Sequence, residues 1–235
     1  MTFLTAEWRK LAMANYTVPD DWLLPHLPAG TELDRWAGSA YVSLIGFLFD
    51  RVRLLGVPVP WHTRFPEVNL RFYVRHRHAG EWRRGVVFVR ELVPRPAVTW
   101  VANTVYGENY RTTRMRHRID HGPDALRVAY DWRLGGRWQR FGLTADPTDR
   151  PLTAGSVEEF ITEHYFGYTR HSPVRTSEYE VTHPAWDTYP VRDHTIDVDF
   201  AANYGDAFAP LTGRAPDSLL LAEGSPITVE GKRSL

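Results

Sequence analysis

Acid–base groups and fixed cations are plentiful in this chain, whereas nucleophiles are scarce. Ten histidines and 26 arginines stand against two lysines, Lys10 and Lys232, and no cysteine. Disulfides, thiolate nucleophiles and Cys-ligated metals are thereby excluded. The histidines do not follow a metal-ligand spacing. There is no His-Glu-x-x-His, and the two-apart pair His76 and His78 falls in a charged turn region, so no metal site is expected. Gly38-Ser39-Ala40 and Gly155-Ser156-Val157 lack the Gly-x-Ser-x-Gly frame of a serine nucleophile. The one glycine pair, Gly135-Gly136, lies between strand-like segments rather than ahead of a helix, so no phosphate cradle and no cofactor are expected. The arginine excess fits either codon usage or a demand for planar, bidentate anion contacts.

The clearest grouping of polar side chains is an alternating row. Glu67, Asn69, Arg71, Tyr73 and Arg75 fall on one side of an extended segment, and Val68, Leu70, Phe72 and Val74 on the other. Such a row is either a solvent face or the lining of a wet cavity inside a barrel, and Glu67 and Arg71 either pair with each other or serve a ligand. A second strand, Arg84 to Val93, carries Arg90 and Glu91 in its apolar run. Neighbours in a strand point to opposite faces, so one of the two can enter a shared cavity, and Arg90 is the one expected there.

The elements that must position these groups are mostly strands. Ala40 to Phe49 is apolar apart from Ser43 and rich in β-branched and aromatic residues, as expected of a strand buried on both faces. Pro58, Pro60 and Trp61 place a loop over one end of the sheet, since proline cannot donate to a central ladder. Leu126 to Leu134, Gly135-Gly136 and Arg137 to Thr144 read as a hairpin with Trp132 and Trp138 packed across it. Arg114 to Ile119, Thr176 to Val181, Thr195 to Phe200 and Ile227 to Glu230 are further extended pieces. Three helices are expected: Ala6 to Tyr16, which could equally be a strand, a short one after Pro19, and one capped by Ser156 with Glu159 three residues on. The last carries Phe160, Ile161, His164 and Tyr165 as an apolar stripe and ends near Gly167. Val98 to Tyr106 is helical or irregular.

Composition bounds the partners. Lys plus Arg equals Asp plus Glu at 28 each, giving a net charge of zero, so there is no bulk attraction to nucleic acid. Hydrophobic residues make up 43% and charged ones 24%, enough for a sizeable core. Met1 to Lys10 lacks the apolar run of a signal peptide, and no stretch reaches the roughly 20 apolar residues of a spanning helix. A cytoplasmic protein without membrane association is expected. No repeat or linker divides the chain, so residues 1–235 are expected to form one domain, with homo-oligomerisation left open.

Several blocks resemble an uncharacterised bacterial family, the YqjF-like or DUF2071 proteins. They are Leu4 to Trp8, Val18-Pro19, Leu27 to Asp34, Ala40 to Leu44, Glu67 to Val74, Gly85 to Phe88, Tyr106 to Met115 and Phe160 to Tyr168. More distantly the chain resembles acetoacetate decarboxylase. That resemblance implies a closed antiparallel β-barrel with short appended helices, mainly β in class, around a cavity in which a lysine forms a Schiff base with a β-keto acid. Its Gly-aromatic-Pro-Lys-Lys stretch corresponds to Gly107-Glu108-Asn109-Tyr110-Arg111, with Tyr110 at the nucleophile position and Arg111 at the neighbouring cation. A phenol cannot form an imine and a guanidinium stays protonated, so the lysine chemistry is excluded here unless Lys10 or Lys232, both near the ends of the sequence, reaches the site.

If the cavity is retained, Tyr110 and Glu67 are the expected acid–base pair, with Arg111 and Arg71 beside them as anion-binding groups. Arg90, Glu91 and His117 form a second tier. The resulting expectation is a cavity for a small anionic ligand, an organic or keto acid, with catalysis that does not use an imine. The alternative is a non-catalytic ligand sensor or oligomeric interaction module on the same fold.

Overall fold

The computed structural model describes residues 2–235; Met1, the first residue of the expected domain, lies outside them. Four long strands open the chain: β1 (Thr2–Val18), β2 (Ala40–Leu54), β3 (Phe65–His78) and β4 (Glu81–Val93). A short strand β5 (Tyr110–Thr112) leads into β6 (Met115–His121), β7 (Leu126–Leu134) and β8 (Arg137–Ala145). The hairpin of β9 (Phe166–Ser172) and β10 (Arg175–Thr182) follows, then β11 (Val191–Asp197) and finally β12 (Ser218–Glu230). Between them lie the short helices α1 (Asp20–Leu23), α2 (Pro96–Val101), α3 (Val157–Thr162) and α4 (Phe200–Tyr204).

The larger sheet runs β12-β1-β2-β3-β4-β9-β10 and returns to β12, where Val181 pairs Val229 and Thr182 pairs Thr228. The ring is therefore closed, as a barrel requires. It departs from the expected all-antiparallel pattern at one wall, because β4 and β9 run parallel through Gly85 with Phe166 and Val86 with Gly167. The smaller sheet, β11-β8-β7-β6, packs against the outside of the barrel.

That second sheet explains the alternating row. Val68, Leu70, Phe72 and Val74 of β3 point outward and are fully buried beneath Tyr130, Trp132, Phe141 and Leu143. Glu67, Asn69, Arg71 and Tyr73 point inward and are also buried. The solvent-face reading of this row is thus corrected: the covered apolar face is outside and the polar face is inside. Burying each of the four outward side chains stabilises the pairing of sheet and barrel by roughly 1.5–3 kcal/mol.

Two-sided burial also settles Ala6 to Tyr16, which is strand within β1 rather than helix. Leu11 and Met13 face the interior cluster while Ala12, Ala14 and Tyr16 face the outer one. Pairing to both β2 and β12 overrides the helical spacing of Trp8, Leu11, Ala12 and Tyr16. The Gly135-Gly136 hairpin forms as expected, with φ of 58° and 81°. Its tryptophans do not meet, however. Trp132 pairs Gln139 and is buried, whereas Trp138 pairs Arg133 and lies on the outer face under Arg116.

The arginines are used largely within the chain. Buried Glu178 is clamped by Arg83 and Arg233, and buried Asp131 by Arg116 and Arg140. No helix among the described residues is long and apolar enough to cross a membrane. If β3 is the wall between the two cores, Phe72→Ala should lower the unfolding free energy by about 3–5 kcal/mol in a denaturant titration. A loss under about 1 kcal/mol would show that the outer sheet is not seated on this strand.

Candidate active site in the barrel cavity

A cavity of about 220 Å³ occupies the barrel, with walls that are mostly apolar, among them Phe47, Phe49, Phe65, Val86 and Trp186. Its acids and its arginine come from β3, β4 and the segment running into β5, and further polar groups, among them His164 and Tyr179, come from the chain after α3 and from β10. β3 supplies Glu67, Asn69 and Arg71 at every second residue.

β4 supplies Glu91, and a bulge decides this. In the pairing of β3 with β4, Leu70 faces Arg90 and Arg71 faces Phe88, leaving Val89 unopposed. Without the extra residue the alternation that points Val86 and Phe88 inward would also point Arg90 inward. With it, Val89 and Arg90 both face outward and Glu91 turns in. Arg90 instead donates to the carbonyl of Asn203 outside the barrel. The expectation that Arg90 is the inward member of the pair is therefore corrected.

The segment from Gly107 to Tyr110 is hooked onto the same bulge. Asn109 Nδ2 donates to the Val89 carbonyl at 2.8 Å, and the Glu91 amide donates to the Asn109 carbonyl at 3.2 Å. Asn103 grips Tyr110 through both backbone groups, accepting from its amide at 2.8 Å and donating to its carbonyl at 3.0 Å. This delivers Glu108 and Tyr110, two residues apart, to the cavity. Arg111 follows Tyr110 in strand β5 and so points the other way, into solvent. His117, on β6 of the outer sheet, is exposed and also remote from the cavity lining. Of the seven expected site residues, Glu67, Arg71, Glu91 and Tyr110 converge; Arg111, Arg90 and His117 do not.

The Tyr110 hydroxyl donates to Glu67 Oε2 at 3.1 Å, and Asn69 Nδ2 donates to Glu67 Oε1 at 3.0 Å. Burial pushes Glu67 up to about 7, against the hydrogen bonds from Asn69 and Tyr110 and the charge of Arg71. Glu108 is likewise raised to about 7 by burial, against hydrogen bonds with Thr169 and Tyr179. Glu91 stands well above the usual carboxylate range because it is buried beside Glu108 and Glu67. Three acids in one apolar hollow cannot all be ionised at little cost, so the site holds protons at neutral pH. Burial, reinforced by these acids, also lifts Tyr110 and Tyr179 well above the ordinary phenol range, so both remain hydroxyl donors.

Room for Tyr179 depends on Gly167, whose position leaves no space for a methyl group. A Cβ there would lie 2.1 Å from the Tyr179 ring. Neither lysine lines the cavity: Lys10 is paired with Glu223, and Lys232 donates to the Val105 carbonyl. No group of three or more metal-ligating side chains is found among the described residues. Asn69 lines the cavity as a member of the alternating row, whereas Glu108, Tyr179 and His164 line it without having been expected there. For Glu108 the signal was its two-residue separation from Tyr110 in an extended segment.

The model of the DUF2071 family, described as an uncharacterised conserved protein, matches residues 5–226. The chain belongs to the DUF2071 family. The uncharacterised protein YqjF of Bacillus subtilis is 26% identical over 167 residues, which cover 70% of this chain and 66%, just under two-thirds, of that protein. Among solved structures, this DUF2071 chain is similar to acetoacetate decarboxylase from Legionella pneumophila. The TM-score is 0.66 at 14% identity, covering 99% of this chain and 87% of the other. An acetoacetate decarboxylase-like enzyme from Sphingomonas wittichii gives a TM-score of 0.67 at 13% identity, covering 100% and 94%. The enduracididine biosynthesis enzyme MppR complexed with pyruvate gives 0.66 at 16%, covering 100% and 91%. These likenesses establish the acetoacetate decarboxylase-like fold.

A carboxyl whose folded value is raised contributes stability that is complete below its unfolded value near 4.5 and is lost as pH climbs through about 7. Glu67→Gln lacks that loss. Relative to the unaltered protein it should gain roughly 1–3 kcal/mol of unfolding free energy between about pH 5 and about pH 8. A constant difference across that range would mean that Glu67 is ionised throughout.

Proposed function

We propose that this protein binds a small organic or keto acid in the barrel cavity and moves a proton on it through Glu67 and Tyr110, without an imine. The observation that carries the reading is the Glu67 carboxyl, raised to about 7 and held between Asn69 and Tyr110 at the polar end of an otherwise apolar hollow. A group with that value releases and accepts a proton with similar ease at neutral pH, as a general base or acid requires. Tyr110 is protonated at neutral pH and donates its hydroxyl hydrogen to Glu67 or to a ligand oxygen, as the acid partner of the pair.

Of the two arginines expected to bind the anion, Arg71 lines the cavity and Arg111 does not, which supports assigning the role to Arg71. Its Nη2 donates to the Ile161 carbonyl at 3.2 Å, while its Nε is buried and unpartnered. A carboxylate on that edge would gain a charge-assisted hydrogen bond in a dry site. The ligand class is supported by MppR, whose similar fold is complexed with pyruvate. A single cavity lined by residues from Phe3 to Val229 supports treating residues 1–235 as one domain.

Protonation of the acids governs the sign of the pH dependence. Below about 7 Glu67 and Glu108 are mostly neutral and Arg71 supplies the dominant charge; above it their ionisation repels an anion. Small carboxylic acids such as pyruvate should therefore raise the melting temperature at pH 6 and do so less at pH 8. Arg71→Ala should abolish the shift, and Arg111→Ala should leave it intact. An undiminished shift in Arg71→Ala would place the anion elsewhere. Borohydride added with acetoacetate should leave the mass of the protein unchanged, since no amine lines the cavity; a reduced adduct would restore imine chemistry.

A further inference from the structure

A second polar subsite lies at the α3 end of the same cavity. His164, whose side chain is fully buried, places Nε2 at 3.1 Å from Asp34 Oδ2 and leaves Nδ1 buried without a partner. Asp34 is itself buried and takes Arg84 Nε at 2.6 Å. Burial alone would raise Asp34, but hydrogen bonds from His164 and Arg84 outweigh it and keep the carboxyl below its ordinary value. An ionised Asp34 can only accept, so the proton of the neutral imidazole resides on Nε2 and Nδ1 presents a bare lone pair. Burial holds the ring's own value down to about 4, so this form persists at neutral pH.

Arg71 adjoins it. The guanidinium carbon lies 5.6 Å and the His164 ring centre 4.7 Å from the centre of the Tyr73 ring, so both groups pack against the same aromatic side chain. The Ile161 carbonyl that holds Arg71 belongs to α3, three residues before His164. An unpartnered donor, Arg71 Nε, and an unpartnered acceptor, His164 Nδ1, thus lie buried on two residues that line the same cavity. Orphaned buried groups of opposite kind call for a ligand that supplies both complements.

We propose that His164, oriented by Asp34, is a ligand-contacting residue that together with Arg71 selects an α-hydroxy acid over the α-oxo acid of the same skeleton. The carboxylate or carbonyl oxygen accepts from Arg71 Nε, and the adjoining hydroxyl donates to His164 Nδ1. An α-oxo acid offers only acceptors, so His164 Nδ1 would face a second lone pair and stay unsatisfied. The apolar remainder of the cavity takes the side chain of the acid. This inference rests on the reading of the cavity as an organic-acid site and narrows its ligand.

Mandelate and phenylglyoxylate differ only at the α-carbon and serve as the probes. In calorimetric titrations the unaltered protein should bind mandelate about tenfold more tightly. His164→Phe, which keeps an aromatic ring against Tyr73 and Phe160, should bring the two acids within about twofold while retaining phenylglyoxylate binding. Equal affinities in the unaltered protein, or a preference that survives in His164→Phe, would overturn the role of His164 but leave the acid site standing. Binding of neither acid would remove the acid-site reading, and this inference with it. Should His164→Phe fail to fold, nitrogen NMR of labelled histidine in the unaltered protein decides. The His164 Nδ1 resonance should move in the hydrogen-bonded direction on saturation with mandelate, and a resonance that stays put would refute the contact.

Discussion

Everything in the cavity depends on β3 being covered on both faces. A strand offers alternate side chains to opposite sides, and here the outer set, Val68, Leu70, Phe72 and Val74, is sealed by the second sheet. With the apolar requirement met outside, the inner set can be polar, and Glu67, Asn69 and Arg71 enter the barrel on the same pitch. The carboxyls then sit where water cannot stabilise their charge, and their raised proton affinities follow from that burial. Chemistry inside the barrel is thus a consequence of packing outside it.

A single inserted residue supplies the other half of the site. Val89 breaks the alternation of β4, turns Glu91 inward and offers the carbonyl on which Asn109 is anchored. One backbone irregularity thereby sets the position of a β4 acid and of the Glu108 to Tyr110 segment together. The five-residue π turn from Ala102 to Tyr106 brings the chain across the barrel end just before this segment. Irregular backbone of this kind is concentrated where side chains must be aimed rather than merely packed.

Much of this was readable from residue order, and the failures have specific physical causes. The alternation in β3, the glycine hairpin and the Ser156 cap are local patterns, and the Ser156 hydroxyl does accept from the Glu159 amide at 3.2 Å. Whether an alternating row looks at water or into a barrel is a non-local fact, fixed by a sheet some sixty residues later. The bulge at Val89 has no glycine or other marker, so strict alternation pointed to Arg90. Arg111 fails by that same alternation rule, since a residue next to inward Tyr110 in a strand cannot also face inward. His164 was visible as part of an apolar stripe beside Phe160, and only the approach of Asp34, 130 residues earlier, distinguishes it from a packing residue.

The ring is fastened unevenly. β1 and β2 are joined by twelve paired residues, whereas the β9-β10 hairpin meets β4 through two pairs and β12 through two more. The leaf is also tied to β4 by side chains, through Arg83 on Glu178 and the Tyr168 hydroxyl on the Arg83 carbonyl, so side-chain contacts there take over part of what the ladder does elsewhere. That leaf carries Tyr179 and Val181 into the lining. The lining is therefore completed by the leaf with the fewest ladder pairs, while the staves bearing Glu67, Asn69 and Arg71 are laced along their length.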